Sequence, residues 1–172
     1  MKFVICGPSA CGKNYLLKQL IKIKFKYSPK ITTRPMRDKE EDGVDYFFTS
    51  NEDFVNLINN ESIKIYQKFL INNQEWYYGI SEENFEKNTI FILTPYEIAL
   101  LSTDRRAQMY IIYMDIDIDI RRKRLYKRND PNDSIERRLA SDLIDFENFT
   151  DYDLHITDVD YKINIHELLN LL

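Results

Sequence analysis

A chain of 172 residues with 44% apolar and 30% charged residues is long enough to bury a core and has the make-up of one soluble globular domain. Its net charge of −4 argues against a general nucleic-acid surface, yet leaves room for a local arginine and lysine cluster serving a small phosphorylated ligand. No apolar run approaches the roughly 18 residues of a membrane span and the N-terminus lacks a signal-peptide pattern, so a cytoplasmic protein with no membrane or nucleic-acid partner is expected.

Lys2-Phe3-Val4-Ile5 predicts a strand that runs directly into Gly7-Pro8-Ser9-Ala10-Cys11-Gly12-Lys13. A helix over roughly residues 13–24 follows, with Leu16, Leu17, Leu20 and Ile21 on one face. Strand, glycine loop and helix in this order make a phosphate-binding P-loop. Backbone N–H groups and the helix N-terminus surround the phosphates, and Lys13 reaches the outer ones as a point charge. The next position should be Ser or Thr, whose hydroxyl ligates magnesium, but here it is Asn14. Cys6 reads as a small buried residue and Cys11 as a loop filler, because a disulfide between them would distort the phosphate cradle.

An irregular basic segment over Lys26–Arg37 and an exposed charged turn over Asp38–Asp42 lead to a predicted strand at Asp45–Phe48. Ser50-Asn51-Glu52-Asp53 is N-cap chemistry with acids in the first turn, so a helix should start there. Ile63–Leu70 and Glu75–Tyr78 read as two strands joined by Asn72-Asn73-Gln74. Ile90–Leu93, ended by Pro95, and Tyr110–Met114 are wholly apolar, as expected of central parallel strands. Arg121–Lys127 predicts a helix, broken by Asn129-Asp130-Pro131-Asn132. Another follows from about Ser134, with Ile135, Leu139, Leu143 and Phe146 on one face. Asp115, Asp117 and Asp119 are expected to cap the helix that follows them. Leu154–Ile156 and Ile165–Leu172 predict a last strand and a C-terminal helix, with His155 and His166 outside any catalytic role. Strands alternating with helices indicate an α/β fold with a parallel sheet.

Thr32-Thr33-Arg34-Pro35-Met36-Arg37 places two arginines three apart in a loop, where both can face one anion, and Tyr46 lies downstream in Asp42-Gly43-Val44-Asp45-Tyr46-Phe47-Phe48. Together with Tyr77-Tyr78-Gly79 and the N-terminal P-loop, these motifs closely resemble the guanylate kinase family over about residues 2–160. Trp76-Tyr77-Tyr78-Gly79-Ile80 and Ile92-Leu93-Thr94-Pro95 look like the compact variants of bacteriophages and related mobile elements.

The resemblance implies a P-loop nucleoside monophosphate kinase fold: a central parallel sheet flanked by helices, a mixed β subdomain for the acceptor over about 30–88, and a helical lid over about 121–145, all in one domain spanning 1–172. It implies ATP on Gly7, Pro8, Ser9, Ala10, Cys11, Gly12, Lys13 and Asn14. Arg34, Arg37, Tyr46 and Tyr78 would hold the acceptor phosphate. Arg128 and Arg138 match lid arginines that close over the transferred phosphoryl group, whereas Arg121, Arg122, Lys123, Arg124 and Arg137 read mainly as a solvated face.

The departures from the family concentrate at two places. At base-reading positions, Lys30 replaces a serine, Ile65 a glutamate, Ile80 a Ser or Thr, and Thr94 and Tyr96 two acids. At the magnesium ion the resemblance implies, Asn14 stands in through its carbonyl or a water, and Thr94 has lost the supporting acid. The expected activity is ATP-dependent phosphorylation of GMP, dGMP or another (deoxy)nucleoside monophosphate, by a monomer or homodimer. The alternative is a non-catalytic guanylate-kinase-like module that binds nucleotide or peptide.

Overall fold

A computed structural model describes residues 1–23, 25–38, 40–128 and 134–159. The first strand, β1 (Lys2–Cys6), divides its side chains between two cores. Phe3 and Ile5 pack with Leu16, Leu17 and Leu20 of helix α1 (Lys13–Lys22), while Val4 and Cys6 face Ile65, Ile80, Phe85 and Phe91. A strand covered on both faces needs no polar alternation, which is why this segment reads as a continuous apolar run. Ile21, predicted on the buried face of α1, is 42% exposed, so that face is narrower than its pattern suggested. The helix stops at Lys22, and Lys24 lies outside the described residues.

A small sheet follows. It contains β2 (Ile31–Thr32), inside the segment read as irregular, and β3 (Phe47–Phe48), shorter than the predicted strand. Helix α2 (Asn51–Asn59) intervenes before β4 (Ile63–Ile71) and β5 (Gln74–Ser81), and the sheet order is β3-β2-β5-β4. The strand β2 runs parallel to β3 and antiparallel to β5, a mixed sheet. Ser50 caps α2 as its chemistry demands, accepting the Asp53 N–H at 3.0 Å, and the helix buries Phe54 against the sheet. The hairpin turns on Asn72 and Asn73, both left-handed with φ of 51° and 61°, a backbone region Asn tolerates better than most residues. Trp76 lies opposite Phe69 in this hairpin and is buried.

The chain then forms α3 (Glu82–Lys87), β6 (Ile90–Ile92), α4 (Pro95–Ala99), α5 (Thr103–Ala107), β7 (Met109–Met114), α6 (Ile118–Arg128), α7 (Ile135–Phe146) and β8 (Leu154–Ile156). The parallel sheet has the order β6-β1-β7-β8. Among the described residues Ile90–Ile92 is thus an edge strand, not a central one. It is apolar because Ile65, Ile80 and Phe85 cover Phe91 from the small-sheet side. The interior strands are β1 and β7.

In α7 the helical period selects different residues from those expected. Leu139 is buried, but Leu143 is 58% exposed and Asp142 takes the inward place at 9%. Phe146 ends the helix by stacking on Tyr113 of β7 at 5.5 Å, and the same tyrosine stacks on His155 at 5.0 Å. Of the three aspartates around the start of α6, only Asp117 caps, its carboxylate accepting the Asp119 and Ile120 N–H groups. Asp115 pairs with His155, and Asp119 with Arg122. The predicted break at 129–132, the C-terminal helix 165–172 and His166 lie outside the described residues. No described helix is long and apolar enough to cross a membrane.

Gly79 is closely packed in the small sheet: a Cβ there would lie 2.8 Å from Ile63 Cγ2 and 2.9 Å from Phe54 Cζ. Gly79→Ala should therefore cost about 1–3 kcal/mol through overpacking. A urea unfolding midpoint lowered at unchanged slope would show it.

Candidate active site

The glycine loop is shaped by one close approach. A Cβ on Gly7 would stand 2.6 Å from the Met114 carbonyl oxygen and 2.8 Å from the Cys11 sulfur, so this position takes glycine alone. Pro8, Ala10 and Gly12 complete the bend, and Lys13 folds back onto it, donating to the carbonyls of Gly7 at 2.6 Å and Pro8 at 2.8 Å. Asn14 is exposed in the first turn of α1. Cys6 and Cys11 are free thiols and both are buried, with burial holding the Cys6 thiol far above its usual range.

Two residues read as solvated belong to this loop instead. Arg124 donates to the carbonyls of Ala10 at 2.9 Å and Cys11 at 3.2 Å. Arg121 is only 5% exposed. It donates to the Ile116 carbonyl at 2.9 Å and to Asp142 at 3.1 Å. Asp142 in turn accepts the Ser9 backbone N–H at 3.0 Å and the Ser9 hydroxyl at 3.1 Å. A run of cations on one helix looks solvated by composition. The signal that separates these two is spacing, since positions 121, 124 and 128 fall on one helix face.

A second cluster lies at the small sheet. Arg34, 2% exposed, stacks over Tyr46 at 5.2 Å and Phe48 at 5.6 Å, and donates to the Glu40 carboxylate at 2.9 Å. Arg37 meets the same carboxylate twice, through its guanidinium at 3.1 Å and its backbone N–H at 3.0 Å. From the far end of α6, Arg128 approaches that carboxylate at 3.8 Å. Tyr78 packs edge-on against Tyr46 at 5.8 Å. Burial pushes the Tyr78 hydroxyl up to about 12, although the charges of Arg34, Arg37 and Arg138 pull the other way. Burial, with Arg37 and Arg138 as like charges, holds the Arg128 guanidinium below its ordinary value. Arg34, Arg37, Tyr46, Tyr78, Arg128 and Arg138 are thus brought together.

The remaining predicted positions are placed differently. Lys30 donates to Glu97, a fully buried carboxylate, at 2.5 and 2.6 Å. Thr94 caps α4 with Glu97 in a reciprocal capping box, and its hydroxyl donates to the Gln67 side chain at 2.8 Å. Ile65 and Ile80 are cross-strand partners, 3% and 5% exposed, in the core beneath the sheet. Ile80 therefore offers a ligand no polar atom and little surface. Among the described residues, no group of three or more His, Cys, Asp or Glu side chains gathers to hold a metal.

A family model described as guanylate kinase matches residues 1–172. The chain belongs to the guanylate kinase family. It is 30% identical to the guanylate kinase of Buchnera aphidicola subsp. Schizaphis graminum over 185 residues, covering 99% of this chain and 86% of that protein. It is 29% identical to that of Mycoplasma genitalium over 181 residues, with 99% and 74% covered. The fold is similar to the crystal structure of guanylate kinase from Anaplasma phagocytophilum, with a TM-score of 0.69 at 20% identity, covering 99% of this chain and 83% of that one. Membership makes the chain a phosphotransferase of the nucleoside monophosphate kinase type.

Glu40 gives this arginine cluster a pH signature. Burial pushes its carboxyl up, but the Arg37 N–H and the Arg34 and Arg37 guanidinium groups outweigh burial, and the net shift is downward from 4.5. A depressed carboxyl contributes stability that is present above its unfolded value and lost as pH falls through the folded one. As pH falls through the carboxylate range, the thermal midpoint of the native chain should thus fall more steeply than that of Glu40→Gln, and the difference between the two should shrink once pH is below the depressed value. Parallel slopes for the two would contradict this.

Proposed function

We propose that this chain is an ATP-dependent kinase of (deoxy)nucleoside monophosphates that keeps the phosphate grips of its family and reads the acceptor base differently. The convergence of Arg34, Arg37 and Arg128 on one carboxylate supports the reading, because three guanidinium groups around a single anion position suit a phosphate. In this reading ATP lies on Gly7–Asn14, and Lys13 exchanges the loop carbonyls for the outer phosphates. Arg34, Arg37, Tyr46 and Tyr78 orient the acceptor phosphate, while Arg128 and Arg138 neutralise the group in transit. Phosphoryl transfer leaves little covalent work for a protein, so positioning and charge neutralisation carry the rate, and an in-place arginine is worth roughly 10³–10⁵.

Magnesium fits the donor chemistry at one point: Asn14 is exposed beside the loop and its carboxamide oxygen is a hard ligand, while the ion keeps waters and phosphate oxygens for the rest. When bound, it would neutralise phosphate charge. Thr94, with its hydroxyl committed to Gln67, is turned to capping. Replacing Asn14 by Thr should raise kcat at saturating ATP and magnesium, and a fall would count against this assignment.

The base end supports altered selectivity. Guanine presents N1–H and an amino group that want acceptors, and the two strand positions that would supply them are the buried pair Ile65 and Ile80. A site built to bond such groups discriminates by roughly 10⁴–10⁵, so its replacement should show plainly in the acceptor profile. Initial rates of ADP release with GMP, dGMP, dTMP, AMP and CMP test both parts. Release that requires ATP and acceptor together marks the kinase. A second base phosphorylated within about ten-fold of GMP in kcat/KM marks the altered reading, and strict GMP and dGMP preference would remove it.

A further inference from the structure

The carboxylate of Asp142 has no part in the reading above, yet it is bonded to the glycine loop. It sits on α7, its side chain 11% exposed, and takes three donors from two other parts of the chain: the Ser9 N–H, the Ser9 hydroxyl and Arg121. Lys13 lies close enough for its charge to act on this carboxylate, alongside Arg121. An anion bonded to a P-loop N–H, in the field of the P-loop lysine, has the surroundings that the loop is built to give a phosphate.

We propose that Asp142 is a built-in anion of the nucleotide loop, holding the Ser9 donors in the nucleotide-free protein so that the outer phosphates of the donor nucleotide must displace it to bind fully. Three observations favour this over an inert buried ion pair. Arg121 does not need Asp142 for its position, because its Nε is fixed independently on the Ile116 carbonyl. A pair serving only to join α6 and α7 needs no bond to Ser9, yet Ser9 supplies two of the three donors. Displacement also reaches the lid helix: Asp142 lies one turn from Arg138 on the same face of α7, so withdrawal of its carboxylate from Ser9 acts on the element that carries Arg138. Binding of the donor nucleotide and adjustment of the arginine that meets the transferred group then become one event.

The inference rests on residues 7–14 being the donor site, and the test separates the two. Calorimetric titration of the full chain with ATP and with inorganic tripolyphosphate would be compared for the native protein, Asp142→Asn and the double variant R121L/D142A. The double variant removes both charges of the buried pair, so that neither is left uncompensated if the single variant folds poorly. Both variants should bind ATP and tripolyphosphate more tightly, by roughly ten-fold, the worth of one hydrogen bond to an ionised group released for the ligand. GMP affinity should stay unchanged. Native protein that binds tripolyphosphate while folded variants bind it no tighter, or more weakly, overturns the inference and leaves the donor site standing. Failure of all three proteins to bind either ligand overturns both.

Discussion

Guanidinium groups gathered at one point repel one another, and the loop beside the small sheet of this protein is organised around that difficulty. Arg34 is almost fully buried, Arg37 and Arg128 lie close by, and the guanidinium of Arg128 is held below its ordinary value by burial and by its neighbours. Three devices keep the group together. Glu40 supplies one carboxylate to several arginines, the faces of Tyr46 and Phe48 give Arg34 a π surface, and the Pro35 carbonyl takes its other end at 2.5 Å. The loop is tied to itself as well, since the Glu40 N–H donates to the Arg37 carbonyl. Sequence position follows from this need: an acid six residues after the first arginine and three after the second reaches both.

The relation between the two sheets depends on a different set of bonds. Lys30, entering β2, reaches Glu97 of α4, and Gln67 of β4 reaches Thr94, the cap of the same helix. Glu97 is fully buried, so this pair is held by its geometry, with the Thr94 N–H filling a remaining acceptor site. Beneath it, Ile65 and Ile80 join Val4, Phe91 and Leu93 in one core. Lys30, Ile65, Ile80 and Thr94 are therefore the cement between the small sheet and the parallel one. Apolar burial and a locked ion pair favour a fixed small sheet.

Much of this was legible in the sequence, and the misses share a cause. The P-loop, the capped start of α2, the Asn-Asn hairpin and the arginine loop are local signals, fixed by spacing and turn chemistry, and each lies where it was expected. Sheet order is non-local. An apolar run such as Ile90–Ile92 cannot reveal whether a strand or a hairpin covers its far side. Helix faces failed for a related reason: Leu143 and Asp142 are equally compatible with the period, and only the partner opposite, Ser9 with Arg121, makes the aspartate the inward one. The cations of α6 were misread because composition treats charge as solvent-seeking, whereas loop carbonyls and a buried carboxylate compete with water for it. Residues that serve through partners distant in sequence are the ones a linear reading leaves out.

The placement of Trp76 has an optical consequence. It is the sole tryptophan of the chain, and it lies buried in the β4–β5 hairpin, across from Phe69 and next in line to Tyr77 and Tyr78. Light absorbed at the red edge, beyond the tyrosines, is therefore emitted from the small sheet alone. The glycine loop and the parallel sheet stay dark at that wavelength. One protein without any introduced label thus carries a reporter confined to the small sheet, beside Tyr77 and Tyr78.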